Sequence, residues 1–177
     1  MKHMARFIQF TLIAVLLCTL SHSEANAAKR LHAKVFITQS KIPKDLNERK
    51  LIAFAQGHQA KRMKEQSDKP LPKRKWIGDM VVAFNAPPNE LEYHALFFDV
   101  SGGGRRFVDD MATMISDRKQ RTYLQKLKLR KPMFEPGKKY EVVITIRRAE
   151  VGKIQFETLG EREKRSGRVD FADEETK

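Results

Sequence analysis

The chain has 177 residues, with 35 Lys and Arg against 22 Asp and Glu, so its formal net charge at pH 7 is +13. This length predicts a single domain. The one cysteine, Cys18, excludes an intrachain disulfide and a cysteine-rich metal site. We therefore expect a protein that is held together by its hydrophobic core, since 133 residues between 28 and 160 are enough for a core of ordinary size.

The N-terminus has the three parts of a secretory signal peptide. Lys2 and Arg6 form a basic start, residues 7–20 are an apolar run, and Ala25-Asn26-Ala27 supplies the small-x-small cleavage pattern. The run is shorter than the roughly 20 residues that a membrane span needs. The sequence therefore predicts a signal peptide over 1–27 and an exported protein, periplasmic or secreted, with no transmembrane span after cleavage. An uncleaved signal anchor is the alternative.

Cys18 lies inside this apolar run, so cleavage removes it and leaves a mature chain without cysteine. Anchoring as a lipoprotein at Cys18 is a competing interpretation. The bulky Leu17 directly before it argues against that processing, because the position normally carries a small residue.

Seven segments alternate apolar and polar residues, or are apolar on both faces, in the manner of β-strands. They are residues 31–38, 76–85, 91–100, 106–115, 121–129, 140–148 and 153–159, with a hairpin at Glu150-Val151-Gly152 before the last. Strands of this spacing, separated by Pro and Gly, predict an antiparallel β-sandwich. The second and third are apolar on both faces, so we expect both of their faces to be covered.

One helix is predicted between the first two strands, over about residues 45–66. Asp45 and Glu48 are three apart, as in a capping box with Asp45 as the N-cap. An apolar stripe follows from Leu51 to Ala55, and we expect it to cover part of the outer face of a sheet. A basic, proline-rich connector over 67–75 leads to the second strand.

The turn at Pro136-Gly137 precedes Tyr140, the first residue of the sixth predicted strand. A tyrosine in this place can bury its ring and bond its hydroxyl back across the corner, as the tyrosine corner of immunoglobulin-like sandwiches does. From residue 161 to 177 the chain is of mixed charge with few apolar residues, which predicts a disordered tail.

Three motifs over residues 80–146 together resemble a fibronectin type III module. They are Met80-x-Val82-x-Phe84-x-x-Pro87-Pro88, then Tyr93-x-x-x-Phe97, then Phe134-x-Pro136-Gly137-x-x-Tyr140-x-Val142-x-Ile144. The resemblance implies a seven-stranded immunoglobulin-like or fibronectin type III-like sandwich, with the helix as an insertion. It also implies a binding or spacer module rather than a catalyst.

Basic residues are concentrated at 41–75, which holds 11 Lys and Arg against 4 Asp and Glu, a net +7. Such a surface favours an anionic partner. After export, that partner is an anionic envelope component or an acidic protein rather than nucleic acid. The candidate partner-binding residues are Lys61, Arg62, Lys64, Lys73, Arg74 and Lys75, with Arg105 and Arg106 after the glycine loop 101–104. The alternative for both groups is ordinary solvated charge.

No pattern in the sequence indicates catalysis, a metal or a cofactor. His32, His58 and His94 lack metal-ligand spacing. Ser116-x-x-Lys119 has the Ser-x-x-Lys spacing of enzymes with an acylating serine, but it links two predicted strands instead of lying on a helix. The sequence thus predicts a non-enzymatic interaction or structural module. An envelope-associated enzyme accessory or hydrolase, with a site built from loops, is the alternative.

Overall fold

The computed structural model describes residues 30–161 of the chain. All of the elements described lie in one compact unit that begins at Leu31. The strands are β1 (Ala33–Thr38), β2 (Arg62–Lys64), β3 (Lys75–Phe84), β4 (Glu92–Asp99), β5 (Arg106–Met114), β6 (Thr122–Arg130), β7 (Lys139–Ile146) and β8 (Ala149–Leu159); α1 is Glu48–Gly57, and a 3-10 turn covers Leu71–Lys73. The fold is mainly β, as the sequence predicts, with eight strands in place of seven among the described residues.

The strands form two sheets. One has three strands in the order β1-β3-β6, and the other has five in the order β2-β8-β7-β4-β5. Every pairing is antiparallel except that of β2 with β8, which is parallel. A hairpin joins β7 to β8 and another joins β4 to β5, whereas β3 and β6 are neighbours in space and distant in sequence.

Alternating residues on the inner faces of both sheets build one shared core. Met80 and Val82 of β3 are fully buried, as are Phe97 of β4 and Val142 of β7. Trp76, Tyr93 and Tyr140 are the largest fully buried side chains of this core. The two sheets therefore pack face to face.

Helix α1 covers the outer face of the three-stranded sheet. Ala55 of the helix forms a second buried cluster with Phe36 of β1 and Val81 of β3, and Leu51 and Ile52 pack against it. The prediction that both apolar faces of β3 are covered is therefore confirmed: the core covers one face and α1 covers the other.

The predicted helix bounds are wrong at both ends. The N-cap is Asn47, whose side chain accepts a 2.9 Å hydrogen bond from the Lys50 N–H, and Asp45 lies before the helix. The helix stops at Gly57 rather than near residue 66. Asn is as good an N-cap as Asp, so the pattern at Asp45 was not decisive.

Beyond the helix the chain forms β2, a short strand that the sequence pattern does not predict. Its central residue, Met63, is fully buried in the main core, while Arg62 and Lys64 are exposed. The two basic residues thus lie on a sheet edge and not at the end of a helix. A strand of three residues is too short to show a period of two.

The last hairpin turns at Arg147 and Arg148, not at Glu150-Val151-Gly152. Both arginines have positive φ, 48° and 66°, a conformation in which glycine or asparagine is usual. Gly152 lies inside β8, at a register shift, where a Cβ atom would collide with the Ala33 carbonyl oxygen of β1. The glycine therefore marks a close backbone approach rather than a turn.

The predicted signal peptide, Cys18 and the tail after Glu161 lie outside the described residues. Within residues 30–161, no helix has the length and apolar character that a membrane crossing requires.

Candidate functional site

The two basic segments of the sequence, 61–64 and 73–75, meet at one end of the sandwich where β8 finishes. The Leu159 carbonyl accepts hydrogen bonds from the Glu65 N–H at 3.0 Å and from the Trp76 indole at 2.8 Å. Glu65 and Trp76 also form an isolated bridge between the ends of β2 and β3. Hence residues that are more than ten positions apart in the sequence are neighbours in space.

An ion pair fixes this junction from within. Lys131 Nζ lies 2.5 Å from Glu65 Oε1, and both side chains are largely buried. The same ammonium group lies 5.8 Å from the centre of the Trp76 ring and donates to the Leu71 carbonyl at 3.4 Å. These contacts attach the connector to the body of the protein. The basic residues 73–75 at the end of the connector are therefore held in place.

The six predicted residues of this region divide into two groups. Arg62 pairs with Glu157 at 3.2 Å, and Arg74 pairs with Glu161 at 3.1 Å. Among residues 30–161, no carboxylate forms an ion pair with the other four, Lys61, Lys64, Lys73 and Lys75. The four lysines are therefore the members of the predicted set whose charge is left for a partner.

Strand β6 adds basic residues that were not among the sequence-based candidates. Arg130 is the register partner of Lys75, and Lys128 is that of Ile77, so both lie with Lys75 on the outer face of the three-stranded sheet. Both are exposed. Further along β6, Lys126 pairs with Asp79 at 3.1 Å. The alternation Lys126-x-Lys128-x-Arg130 is the signal that could have found them, because alternate residues of a strand share a face.

We call these six cations, which have no ion pair within the described residues, the basic end. They are Lys61, Lys64, Lys73, Lys75, Lys128 and Arg130. Like charges held side by side repel one another, and an anion placed among them relieves that repulsion. The arrangement can therefore attract an anionic surface.

Arg105 and Arg106 do not join the basic end, since each is occupied by carboxylates. Arg105 lies 2.6 Å from Glu141 and 2.6 Å from Glu150, with its guanidinium 5.6 Å from the centre of the Phe98 ring. The bond to Glu150 raises the pKa of Arg105. Arg106 pairs with Asp99 at 3.0 Å.

Asp99 is the centre of this second cluster, at the start of the glycine loop. It is buried, and its carboxylate accepts from the Ser101 N–H at 2.9 Å and from Lys138 at 3.0 Å. Burial alone would raise the pKa of Asp99, but the bonds from Ser101 and Lys138 outweigh it and lower the pKa. Three bonds satisfy the carboxylate, so the cluster serves to fix the loop.

The three histidines within residues 30–161 lie apart. His58 stacks on Phe54 at the end of α1, and His32 precedes β1. His94 on β4 lies 2.9 Å from Asp110 and 3.5 Å from Glu92, and chiefly the bond to Asp110 raises its pKa. Nowhere in residues 30–161 do three or more His, Cys, Asp or Glu side chains form a group that could hold a metal ion.

A cleft of about 590 Å³ lies beside His94 on the outer face of the five-stranded sheet. Leu91, Leu96, Arg147 and Arg148 line part of it, and Arg147 is bound to Glu90 at 2.5 Å. Its walls carry charges of both signs, so the cleft has no single electrostatic preference.

No protein-family model matches the chain, and comparisons with curated proteins and with solved structures find no match.

Proposed function

We propose that the protein is an immunoglobulin-like or fibronectin type III-like module that binds an anionic partner without catalysing a reaction. Immunoglobulin-like sandwiches place strands A, B, E and D in one sheet and C, F and G in the other. Within residues 30–161, no strand takes the place of D. Named in chain order, β1, β3 and β6 take the places of A, B and E, and β4, β7 and β8 take those of C, F and G. The strand β5 beside β4 corresponds to the C′ strand of variable-type domains.

The inserted helix and β2 fit the same scheme. Strand β1 lies in the three-stranded sheet, and after the helix the chain changes sheets and pairs with β8 as β2. The helix is thus an addition at the first strand, which leaves the pairing of the other strands unchanged. This arrangement supports the immunoglobulin-like interpretation, and the resemblance over residues 80–146 supports it independently.

The observation that carries the binding proposal is the basic end, whose six cations lie on two bridged segments of the chain and on the adjacent strand β6 and have no ion pair within residues 30–161. Lysine ammonium groups are mobile point charges that do not demand one fixed ligand geometry. An array of them suits a partner with many spread negative charges. An anionic envelope component or an acidic protein has this character, and an exported protein meets both.

A charge-removal experiment tests the proposal on the full chain. In one variant Lys61, Lys64, Lys73 and Lys75 are replaced by Gln. In a matched control, four exposed cations elsewhere are replaced in the same way: Lys34, Lys50, Arg118 and Lys119. Both variants lose four charges, so they differ only in where the charge is removed.

We expect the first variant to bind vesicles of anionic phospholipid at least several-fold more weakly than the parent, while the control loses much less. Vesicles of zwitterionic lipid are the blank. Equal losses in the two variants would show that net charge alone drives binding and that the basic end is not a site. Surface substitutions usually change stability by no more than about 0.5 kcal/mol each, so circular dichroism should be unchanged in both.

A further inference from the structure

A second surface, the edge strand β5, differs in chemistry from the basic end. Strand β5 is an outer strand of the five-stranded sheet, and within residues 30–161 its only paired neighbour is β4. The strand is nine residues long, and natural proteins usually protect an edge of this length by bulges, charges or cover.

The first half of the β5 edge is protected. The register between β4 and β5 shifts where Phe98 pairs with Phe107 and Phe97 pairs with Asp109, which leaves Val108 as an extra residue. Just beyond it, the Asp109 carboxylate accepts the Asp110 N–H at 3.0 Å. A bulge and a side-chain cap both hinder the pairing of another strand here.

The second half of the edge is open. Alternate residues of an antiparallel edge strand turn both backbone groups toward the partner or both away from it. The Asp110 N–H is bound to its own neighbour, and the Ile115 N–H donates to the Leu91 carbonyl on the β4 side. It follows that Ala112 and Met114 direct their N–H and C=O groups away from β4, toward the free edge.

The side chains beside this open half are apolar at one end and acidic at the other. Met114 is 69% exposed, and its register partner on β4 is Glu92. Leu91, which precedes β4, is 62% exposed. At the other end are Asp109 and Asp110, and no Lys or Arg occurs from Phe107 to Ser116. In a chain with net charge +13, this edge is a local acidic and apolar exception.

We propose that the open half of β5, from Met111 to Met114, accepts an extended cationic segment of a partner protein as an added antiparallel strand, with the Asp110 side chain beside it. Backbone groups of Ala112 and Met114 supply the pairing, as in other cases of strand addition. On the outward face, a partner residue opposite Met114 is apolar, and the residue four positions later, opposite Asp110, is Lys or Arg. A second copy of this chain fits less well, because two molecules of high positive charge would meet over a contact of only a few residues.

The test uses the full-length protein and two blocked peptides of alternating pattern. The probe is acetyl-Thr-Val-Thr-Val-Thr-Lys-Thr-amide, and the control peptide has Glu in place of Lys. Backbone amide exchange, followed residue by residue by nuclear magnetic resonance, reports the binding. We expect the probe to slow exchange at Ala112 and Met114 at least several-fold, and the control peptide to have a much smaller effect.

A pair of variants separates strand addition from contact with side chains. Ala112→Pro removes an N–H that faces the free edge and leaves the pairing with β4 intact, whereas Ala112→Val keeps that N–H. We expect the proline variant to lose the protection by the probe and the valine variant to retain it, with both folded by circular dichroism.

Three results would overturn the proposal. The first is equal protection by both peptides, and the second is protection that persists in the proline variant. The third is exchange at Ala112 that becomes slower as the protein concentration increases, in the absence of any peptide. The last of these would identify the occupant as a second copy of the chain. None of them bears on the basic end, which does not include β5.

Discussion

The backbone N–H of Glu135 donates a 2.8 Å hydrogen bond to the hydroxyl of Tyr140, five residues later, across the turn at Pro136-Gly137. The Tyr140 ring is buried between Phe134 and Phe156, and burial raises the pKa of its hydroxyl. The sequence predicts this corner from the position of a single tyrosine after a turn. The bond shows how that residue fixes the entry to β7.

Tyr140→Phe keeps the ring and removes the acceptor of this bond. We expect the free energy of unfolding to fall by about 1–3 kcal/mol, because the Glu135 N–H loses its partner. Chemical denaturation of the parent and the variant measures the difference. Coincident denaturation midpoints would show that the bond contributes nothing to stability.

Substitution by alanine at two glycines should change the stability of the protein in opposite directions. Gly152→Ala places a methyl group against the Ala33 carbonyl, so we expect a loss of about 1–3 kcal/mol from overpacking. At Gly57, the last residue of α1, an added methyl group would meet no atom within 4 Å, so Gly57→Ala should stabilise the protein by about 0.4–1 kcal/mol. Thermal denaturation of both variants compares them, and a Gly152→Ala variant as stable as the parent would refute the close approach of β1 to β8.

Because the carboxylate of Asp99 is buried and bonded, we expect the stability of the protein to depend on pH in the acidic range. Its pKa is lowered in the folded protein, so its contribution is present above the pKa of the unfolded chain, near 3.9, and is lost as the pH falls through the folded value. Asp99→Asn should therefore lower stability at pH 7 by about 1.5–3 kcal/mol and by less at pH 2. Denaturant titrations at the two pH values measure both differences, and an equal loss at both would contradict the assignment.

The contribution of His94 to stability should depend on pH in the opposite sense to that of Asp99. Its bond to Asp110 raises its pKa, so the contribution of this contact is present below about pH 6.5 and is lost as the pH rises through the folded value. Titration of the His94 ring by nuclear magnetic resonance should give a pKa above the ordinary value, and Asp110→Asn should bring it down toward that value. A His94 pKa that Asp110→Asn does not change would remove Asp110 as the cause.

The alternating strands were predictable from sequence because each presents two or more apolar residues to one core. Val82, Phe97 and Val142 lie where the period of two places them. The helix was found by its apolar stripe, but its end was misplaced because the basic residues after Gly57 continue a helical composition. Strand β2 is stabilised by the burial of Met63 and by pairing with β8, which are tertiary effects that no local pattern contains.

The candidate site was predictable only in part. Composition identified the basic segments 61–64 and 73–75, but their union depends on the bonds of Glu65 and Trp76 to Leu159. Which cations are already paired, such as Arg62 with Glu157, cannot be read from a chain in which the partners are far apart. The same holds for Arg105, whose carboxylate partners lie on β7 and β8.

The most direct measurement of the central claim is the binding of the full-length protein to anionic phospholipid vesicles over a range of salt concentrations. Exposed charges act over about 8 Å at physiological ionic strength and over about 3 Å at 1 M. We predict that affinity falls steeply with salt for the parent and that the dependence is shallower when Lys61, Lys64, Lys73 and Lys75 are replaced by Gln. Binding that does not change with salt, or equal dependence in parent and variant, would contradict the basic end as the docking surface.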